Sequence, residues 1–323
     1  MKSRTIFMIL ISLFLLTSCA SRQQTADSRV LEFFNQQIME NTTWKLENVA
    51  ELESYRADAI CSDGENLYVL CKEQNQILEL SENGEQLGVI GGVGSQPGQL
   101  FQPAAMAWDG QYLMVAEQGN LRLQAFQPDG TSVFTLPLPV NGEQTAFVRS
   151  IAPWEDGYLV CLIFPYEKDA NTVWHIDQHG QAEPLMKNIR GVFAWTADRL
   201  YLIEDLVYVG DGNISYQAGE ASVWQFDEGR FIHQAALPYG YVMTSTVKTA
   251  DSWYAVNCSF YSLDRFDDSW NYISTGFMMA NQEKNVMYEG QNLSIALCKR
   301  KLFLLSTSSG TIYRIWMGDG DEI

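Results

Sequence analysis

Residues 91–130 read GGVGSQPGQLFQPAAMAWDGQYLMVAEQGNLRLQAFQPDG, and the fold can be predicted from them. A glycine-rich segment precedes three short apolar runs, Pro103–Trp108, Tyr112–Ala116 and Leu121–Phe126. Turn residues such as Asp109-Gly110 separate these runs and Asp129-Gly130 follows the last one. Apolar runs of this length between Gly, Asp and Asn residues are typical of β-strands joined by tight turns.

The same order of strands and turns recurs on both sides of this stretch. An earlier unit extends from Ala57 to Ile90, and later units begin near Phe147, Arg190, Val242 and Leu293. The unit starts are 43 to 52 residues apart, which is typical of four-stranded propeller blades. Six such units predict an all-β protein, a six-bladed β-propeller.

The two ends of the repeat region predict how the ring closes. The last unit has only three predicted strands, Leu293–Cys298, Leu302–Thr307 and Thr311–Met317. Residues Thr43–Val49 form a further predicted strand that has no blade of its own. If this strand completes the last blade, the ring closes and an exposed sheet edge is removed.

The unit at 91–130 resembles the NHL repeat, a blade type of six-bladed propellers of the NHL or TolB-like kind. Glu117 stands where that family usually has Asp, and the close match covers one blade of six. The resemblance implies the fold and no particular activity, because one fold can have many functions. The residues that match the repeat pattern are Pro97, Gly98, Phe101, Pro103, Asp109, Val115, Ala116, Asn120, Arg122, Gln124 and Phe126.

The N-terminus has the features of an export signal. Lys2 and Arg4 precede the apolar run Ile6–Leu16, which is too short for a permanent membrane span of about 20 residues. The sequence Leu16-Thr17-Ser18-Cys19 resembles the lipobox of bacterial lipoprotein precursors. That resemblance implies cleavage after residue 18 and a covalent lipid on Cys19, which would anchor the protein to a bilayer.

Three regions are therefore predicted. They are a lipoprotein signal peptide at 1–18, a lipidated tether with a short helix at 19–42, and the propeller at 43–323. The expected location is outside the cytoplasm, at the cell surface or on the periplasmic face of a membrane. Residue 20 is Ala, so the inner-membrane retention signal with Asp after the lipidated cysteine is absent.

Charge and cysteine content exclude some function classes. The net charge is −18 and becomes −20 when residues 1–18 are removed, because Lys2 and Arg4 leave with them. A chain this acidic repels nucleic acid, so no nucleic-acid partner is expected.

Besides Cys19 there are five cysteines, without zinc-site spacing, and we interpret them as buried apolar side chains.

The chain has none of the sequence motifs of common hydrolases, metalloproteases or nucleotide-binding loops. We accordingly predict no catalytic residue, no metal site and no cofactor other than the lipid. One alternative is an enzyme of the lactonase or sugar-dehydrogenase kind, in which a divalent cation occupies the channel. Its ligands would come from Asp58, Asp109, Glu204 and Asn257.

We predict a non-catalytic binding scaffold for a protein, peptide or glycan of the cell envelope, and a structural component of an envelope complex is a further possibility. The turns between second and third strands should gather on one face of the propeller, with Tyr261 to Trp270 as one of the longer loops. These aromatic side chains either contact a ligand or pack the loops against the rim. The candidate ligand-binding residues are Asn120, Arg122, Tyr166, Tyr208, Tyr216, Tyr261 and Trp270.

Overall fold

Short antiparallel β-strands make up the described part of the chain. The computed structural model describes residues 44–140, 145–165, 170–205, 207–210, 213–216, 220–238, 241–258, 262–278 and 293–317. Within these ranges there are 26 strands, numbered here in chain order. No helix of the described part has the length and apolar character needed to cross a membrane. The predicted signal peptide, Cys19 and the tether lie outside the described residues.

The strands form six four-stranded blades. Blade one contains β2 (Ala57–Ser62), β3 (Leu67–Cys71), β4 (Gln76–Leu80) and β5 (Gln86–Gly91). Blade two contains β6 (Pro103–Trp108), β7 (Leu113–Glu117), β8 (Arg122–Phe126) and β9 (Ser132–Pro137). Blade three contains β10 (Phe147–Trp154), β11 (Gly157–Ile163), β12 (Thr172–Asp177) and β13 (Ala182–Lys187).

Blade four contains β14 (Gly191–Trp195), β15 (Leu200–Glu204), β18 (Ser222–Asp227) and β19 (Arg230–Ala236). A separate hairpin of β16 (Val207–Gly210) and β17 (Asn213–Tyr216) is inserted between β15 and β18. Blade five contains β20 (Met243–Lys248), β21 (Trp253–Asn257), β22 (Ser262–Phe266) and β23 (Tyr272–Met278). Blade six contains β24 (Leu293–Cys298), β25 (Lys301–Ser306), β26 (Thr311–Trp316) and β1 (Lys45–Glu51).

The core consists of apolar side chains between adjacent blades. Second strands such as β3 and β7 are buried at every position, because a neighbouring blade covers each face of the sheet. Outer strands such as β5 and β9 are largely exposed. The described core divides into six clusters, one at each blade interface, including the interface between blades six and one. The predicted six-bladed ring is therefore confirmed.

The N-terminal strand closes the ring as predicted. β1 pairs with β26 in antiparallel register from Lys45 opposite Trp316 to Glu51 opposite Thr311. Trp44 precedes β1 and lies against Gly276 of blade five, where an added Cβ would come within 1.7 Å of the indole ring. Only glycine leaves room for the ring there, so the closing segment contacts blade five as well as blade six.

A β-bulge near the start of the first strand recurs in four blades. The register shifts leave Asp58, Ala104, Arg149 and Thr244 at equivalent extra positions. A bulge bends its strand and redirects the side chain of the extra residue, and bulges are frequent near functional sites. The residue at this position therefore differs in charge from blade to blade: it is acidic in blade one and basic in blade three.

Candidate functional site

The propeller channel has two ends, which differ in chemistry. The first strands of the six blades surround the channel, and each begins at the end where second and third strands are joined. We call this end the upper mouth; its described charged residues include Asp58, Lys72, Arg149, Arg190 and Asp205. The opposite end, where first and second strands are joined, is the lower mouth.

The structure places the predicted ligand residues Asn120 and Arg122 in an internal network. Arg122 Nε donates to Glu117 at 2.5 Å, and its Nη atoms donate to the main-chain oxygens of Ser95, Gln96 and Gln99. Asn120 donates to Gly94 O at 2.9 Å and also to Glu117. These side chains hold the glycine-rich 91–100 segment against blade two. Asn120 and Arg122 thus form a structural clamp between this segment and blade two.

Trp270 is not on the face for which it was predicted. Residues 262–266 form β22, so the predicted long loop is instead a strand and the β22–β23 turn, and Trp270 lies on the lower side of blade five. Its side chain is 2% exposed and stacks on Trp253 with ring centroids 4.9 Å apart. The packing interpretation of the aromatic residues therefore describes Trp270, and the ligand-contact interpretation does not.

Two of the other predicted aromatic residues lie in the connection between the second and third strands of blade four. Tyr208 and Tyr216 belong to the inserted β16–β17 hairpin, where Tyr208 pairs with Ser215 and Tyr216 with Val207. Tyr166 and Tyr261 lie outside the described residues. The hairpin confirms only that blade four has an extended connection between its second and third strands.

Three residues of the enzyme alternative, Asp58, Glu204 and Asn257, lie at the upper end of their blades, and Asp109 lies at the lower end. Asp58 accepts a hydrogen bond from Lys72 N at 3.1 Å, Glu204 from Ser222 N at 3.3 Å and Asn257 from Val242 N at 3.3 Å. Each of these bonds is made within its own blade, and Asp109 lies at the lower mouth. In the described ranges, no three His, Cys, Asp or Glu side chains form a metal-binding group.

An aromatic cleft of about 730 Å³ lies at the lower mouth, between blades two, three and four. Its charged lining residues are all acidic: Asp109, Glu155 and Asp156. The aromatic lining includes Trp108, Tyr112, Phe134, Trp154 and Trp195, each of them partly exposed. The cleft therefore combines partly exposed aromatic side chains with negative charge.

The three tryptophans of this aromatic cleft occupy equivalent positions. Trp108, Trp154 and Trp195 are the last residues of β6, β10 and β14, the first strands of three successive blades. Each is followed by a short turn, and their spacings in the sequence, 46 and 41 residues, are close to the blade repeat. Sequence reasoning missed them as a site, although this periodic placement before a turn was a detectable signal.

Asp109 joins two blades on the floor of the aromatic cleft. Its carboxylate accepts hydrogen bonds from the backbone N–H of Tyr112 at 2.6 Å and from the Tyr158 hydroxyl of blade three at 2.6 Å. Burial and this hydrogen bond both raise the pKa of Tyr158, so the hydroxyl stays protonated and donates. The floor is thereby held in place without a ligand, as expected of a preformed site.

The upper mouth contains a cluster of buried charges. Arg149, at the bulge of β10, donates from Nε to Asp205 Oδ2 at 2.7 Å, and Arg190 Nη2 lies 3.7 Å from the same oxygen. Burial lowers the pKa of the Arg190 guanidinium; Asp205 opposes this shift and Arg149 adds to it. Two guanidinium groups thus share one carboxylate oxygen as their ion-pair partner.

Other buried polar groups have structural roles. Burial raises the pKa of Asp264 to about 6, and its carboxyl accepts hydrogen bonds from the hydroxyls of Thr275, Tyr241 and Ser262. Perturbed carboxyls are frequent at functional sites, but Asp264 has no exposed surface that a ligand could reach. The loop predicted from Tyr261 to Trp270 included Asp264, and this was wrong because Asp264 lies within β22.

The five cysteines of the described chain are unpaired; Cys71, Cys161 and Cys298 are buried, as interpreted from the sequence, whereas Cys61 and Cys258 are partly exposed. Burial raises the pKa of the Cys161 thiol to about 11. A buried thiol with a raised pKa is a poor nucleophile, so these cysteines are suited to packing.

These features define the class of the protein as a six-bladed β-propeller. No protein-family model matches the chain, and no curated protein matches it in sequence. Solved structures with the same fold include virginiamycin B lyase from Staphylococcus aureus, at 10% identity and a TM-score of 0.53, with 85% of this chain and 100% of that chain covered.

A Bacteroides fragilis protein whose name describes it as exported is similar at 9% identity and a TM-score of 0.57, with 87% and 97% of the two chains covered. A chain of a nidogen–laminin complex is similar at 12% identity and a TM-score of 0.51, with 72% and 83% covered. At these identities the likeness shows the fold alone. Enzymes and binding proteins both use this fold, so activity must be argued from the sites.

Proposed function

We propose that this chain is a lipid-anchored protein of the cell envelope whose propeller is a non-catalytic binding scaffold, with the aromatic cleft as its ligand site. The observation on which the proposal rests is the aromatic cleft itself. Concave sites with aromatic walls and a few fixed polar groups are typical of ligand binding. Tryptophan and tyrosine are also the side chains most enriched among energetically important interface residues.

Of the three ligand classes considered, the aromatic cleft favours a peptide or protein segment with basic side chains. Cations are attracted to the faces of tryptophan and tyrosine rings, and Arg and Lys side chains use this interaction in proteins. Asp109, Glu155 and Asp156 add negative charge around the rings, and no basic residue is among the cleft lining. An acidic peptide would be repelled by the same groups.

A peptide titration tests the binding function. Tryptophan fluorescence of the purified protein is measured with a Lys/Arg-containing peptide, a sequence-matched peptide with Glu in place of Lys and Arg, and a neutral oligosaccharide. The basic peptide is expected to bind at least about tenfold more tightly than the acidic one, since cation–π contacts contribute about 0.5–2 kcal/mol. Trp154→Ala is expected to weaken binding about tenfold.

Trp316→Ala is the matched control for this titration. Trp316 lies on β26 and stacks under Arg314, with a centroid distance of 3.7 Å, far from the aromatic cleft in the ring of blades. Its replacement should leave peptide affinity unchanged. Equal losses in both variants would show that the cleft is not the binding site. If only the oligosaccharide binds, the proposal of a binding scaffold stands, and its ligand is a glycan and not a peptide.

The anchoring part of the proposal rests on the sequence around Cys19. Cys19→Ala is expected to abolish incorporation of a labelled fatty acid and to release the protein from the membrane fraction, because a lipid chain supplies about 0.8 kcal/mol per buried CH₂. Cys61→Ala is the control, since Cys61 lies in β2 of the propeller and has no role in anchoring. Membrane association that survives Cys19→Ala would contradict lipid anchoring through this residue.

A further inference from the structure

Among the residues that the structure describes, the buried charges around Asp205 are not balanced. Two guanidinium groups, those of Arg149 and Arg190, face the single carboxylate of Asp205. Relative to full exposure, the side chain of Asp205 is 3% exposed, that of Arg190 10% and that of Arg149 25%. Guanidinium groups stay protonated in proteins, so the cluster has one positive charge in excess.

The hydrogen-bond donors of this cluster are also incompletely used. Arg190 Nε is enclosed and has no hydrogen-bond partner among the described residues. Arg149 has one acceptor there, Asp205 Oδ2, although a guanidinium group offers five N–H donors. A buried charge without a full set of partners is strongly unfavourable. The arrangement is therefore suited to a ligand that supplies both negative charge and acceptor oxygens.

A third basic residue, Lys72 of blade one, feels the charge of this cluster and lies 3.9 Å from the carboxylate of Asp58. Burial lowers the pKa of Lys72 in blade one; Asp58 opposes the shift, and the charges of Arg149 and Arg56 add to it. Lys72 is therefore close enough to Arg149 for their charges to repel. The five residues named at this mouth are three basic and two acidic ones, a local excess of one positive charge on a protein of net charge −18, and a local positive charge attracts small anions.

We propose that the upper mouth binds an anionic group, a carboxylate or a phosphate, between Arg149 and Arg190. Planar guanidinium groups match the oxygen geometry of both anions and bind them through paired N–H donors. The bulge at Arg149 and the position of Arg190 just before β14 bring the two groups together from adjacent blades. This site is separate from the aromatic cleft at the lower mouth, and its test does not depend on peptide binding.

The test uses two anions as probes. Thermal unfolding of the full protein is followed with inorganic phosphate and, separately, with acetate, each at constant ionic strength against chloride. An anion that binds the folded state and not the unfolded state stabilises the protein by RT ln(1 + c/Kd) at a free anion concentration c, so the unfolding midpoint rises with the anion concentration. The more effective probe identifies the phosphate or the carboxylate as the preferred group.

Arg190→Gln is the main variant, because Arg149 and Asp205 remain as a balanced pair and the variant should fold. Its affinity for the effective anion is expected to fall at least about tenfold, the loss of one charge-assisted pair of hydrogen bonds. Arg149→Gln is expected to give a similar loss. Arg199→Gln is the control, because Arg199 lies on the lower side of the same blade and pairs with exposed Asp198 and Asp268.

Binding that is lost in Arg190→Gln and kept in Arg199→Gln supports the site. If neither phosphate nor acetate shifts the midpoint relative to chloride, the proposal is overturned. The same holds if the shift is equal in Arg190→Gln and the unsubstituted protein.

Discussion

Replacing Arg122 by Met is expected to lower the free energy of unfolding by about 3–5 kcal/mol, the cost of removing one partner from a buried ion pair. Glu117 has no exposed surface and Arg122 is its basic partner at 2.5 Å. Without Arg122, the carboxylate keeps only neutral donors such as Phe101 N and Gln124 Nε2. Three main-chain oxygens of the 91–100 segment also lose their donor.

Urea unfolding measures this effect, with Arg199→Met as the control. Arg199 makes exposed ion pairs, and such pairs contribute about 0–1 kcal/mol. A double variant, Glu117→Gln with Arg122→Met, should lose less stability than Arg122→Met alone, since no buried charge is left unpaired. A loss in Arg122→Met no larger than that of the control would refute the clamp.

Deleting β1 is expected to prevent the propeller from folding as a cooperative monomer. A chain that begins at residue 52 lacks every β1 pair with β26, and it lacks Trp44 against Gly276. The exposed edge of β26 would then be free to pair with other chains. A chain that begins at residue 44 keeps both contacts and is expected to unfold cooperatively at the midpoint of the longer chain.

Calorimetry and light scattering distinguish the two truncated chains. Adding a peptide of residues 44–51 to the shorter chain should restore part of the transition, because an extended peptide can complete an open sheet edge. Equal unfolding midpoints for the two chains would mean that β1 is not needed for closure.

Most of the fold could be predicted from the sequence because its information is local and repeated. The strands of each blade can be recognised from apolar runs separated by turn residues. The last unit lacked a fourth strand, and the additional strand predicted at Thr43–Val49 could supply it. Blade five was harder to predict. Residues 262–270 were predicted as part of a loop. Asp264 is instead buried in β22, where its carboxyl accepts hydrogen bonds from three hydroxyl groups.

The candidate sites could be predicted only in part. The NHL pattern drew attention to Asn120 and Arg122, but a pattern cannot tell whether a polar side chain turns toward solvent or toward its own backbone. Arg149 became visible only through the bulge in β10, which depends on strand register. Trp108, Trp154 and Trp195 are separated by whole blades, so they form one surface only after the ring is built.

The pairing of Lys45 with Trp316 has a topological consequence. The first and last strand residues of the ring are direct neighbours on adjacent antiparallel strands, the arrangement that a hairpin loop of two to five residues normally connects. A short covalent bridge at that point would therefore make the propeller a closed circle of peptide bonds. The circle could then be cut between any other two blades, giving circular permutants in which the same ring is built from a different starting blade. The point at which the chain begins and the shape that it adopts are separable properties of this protein.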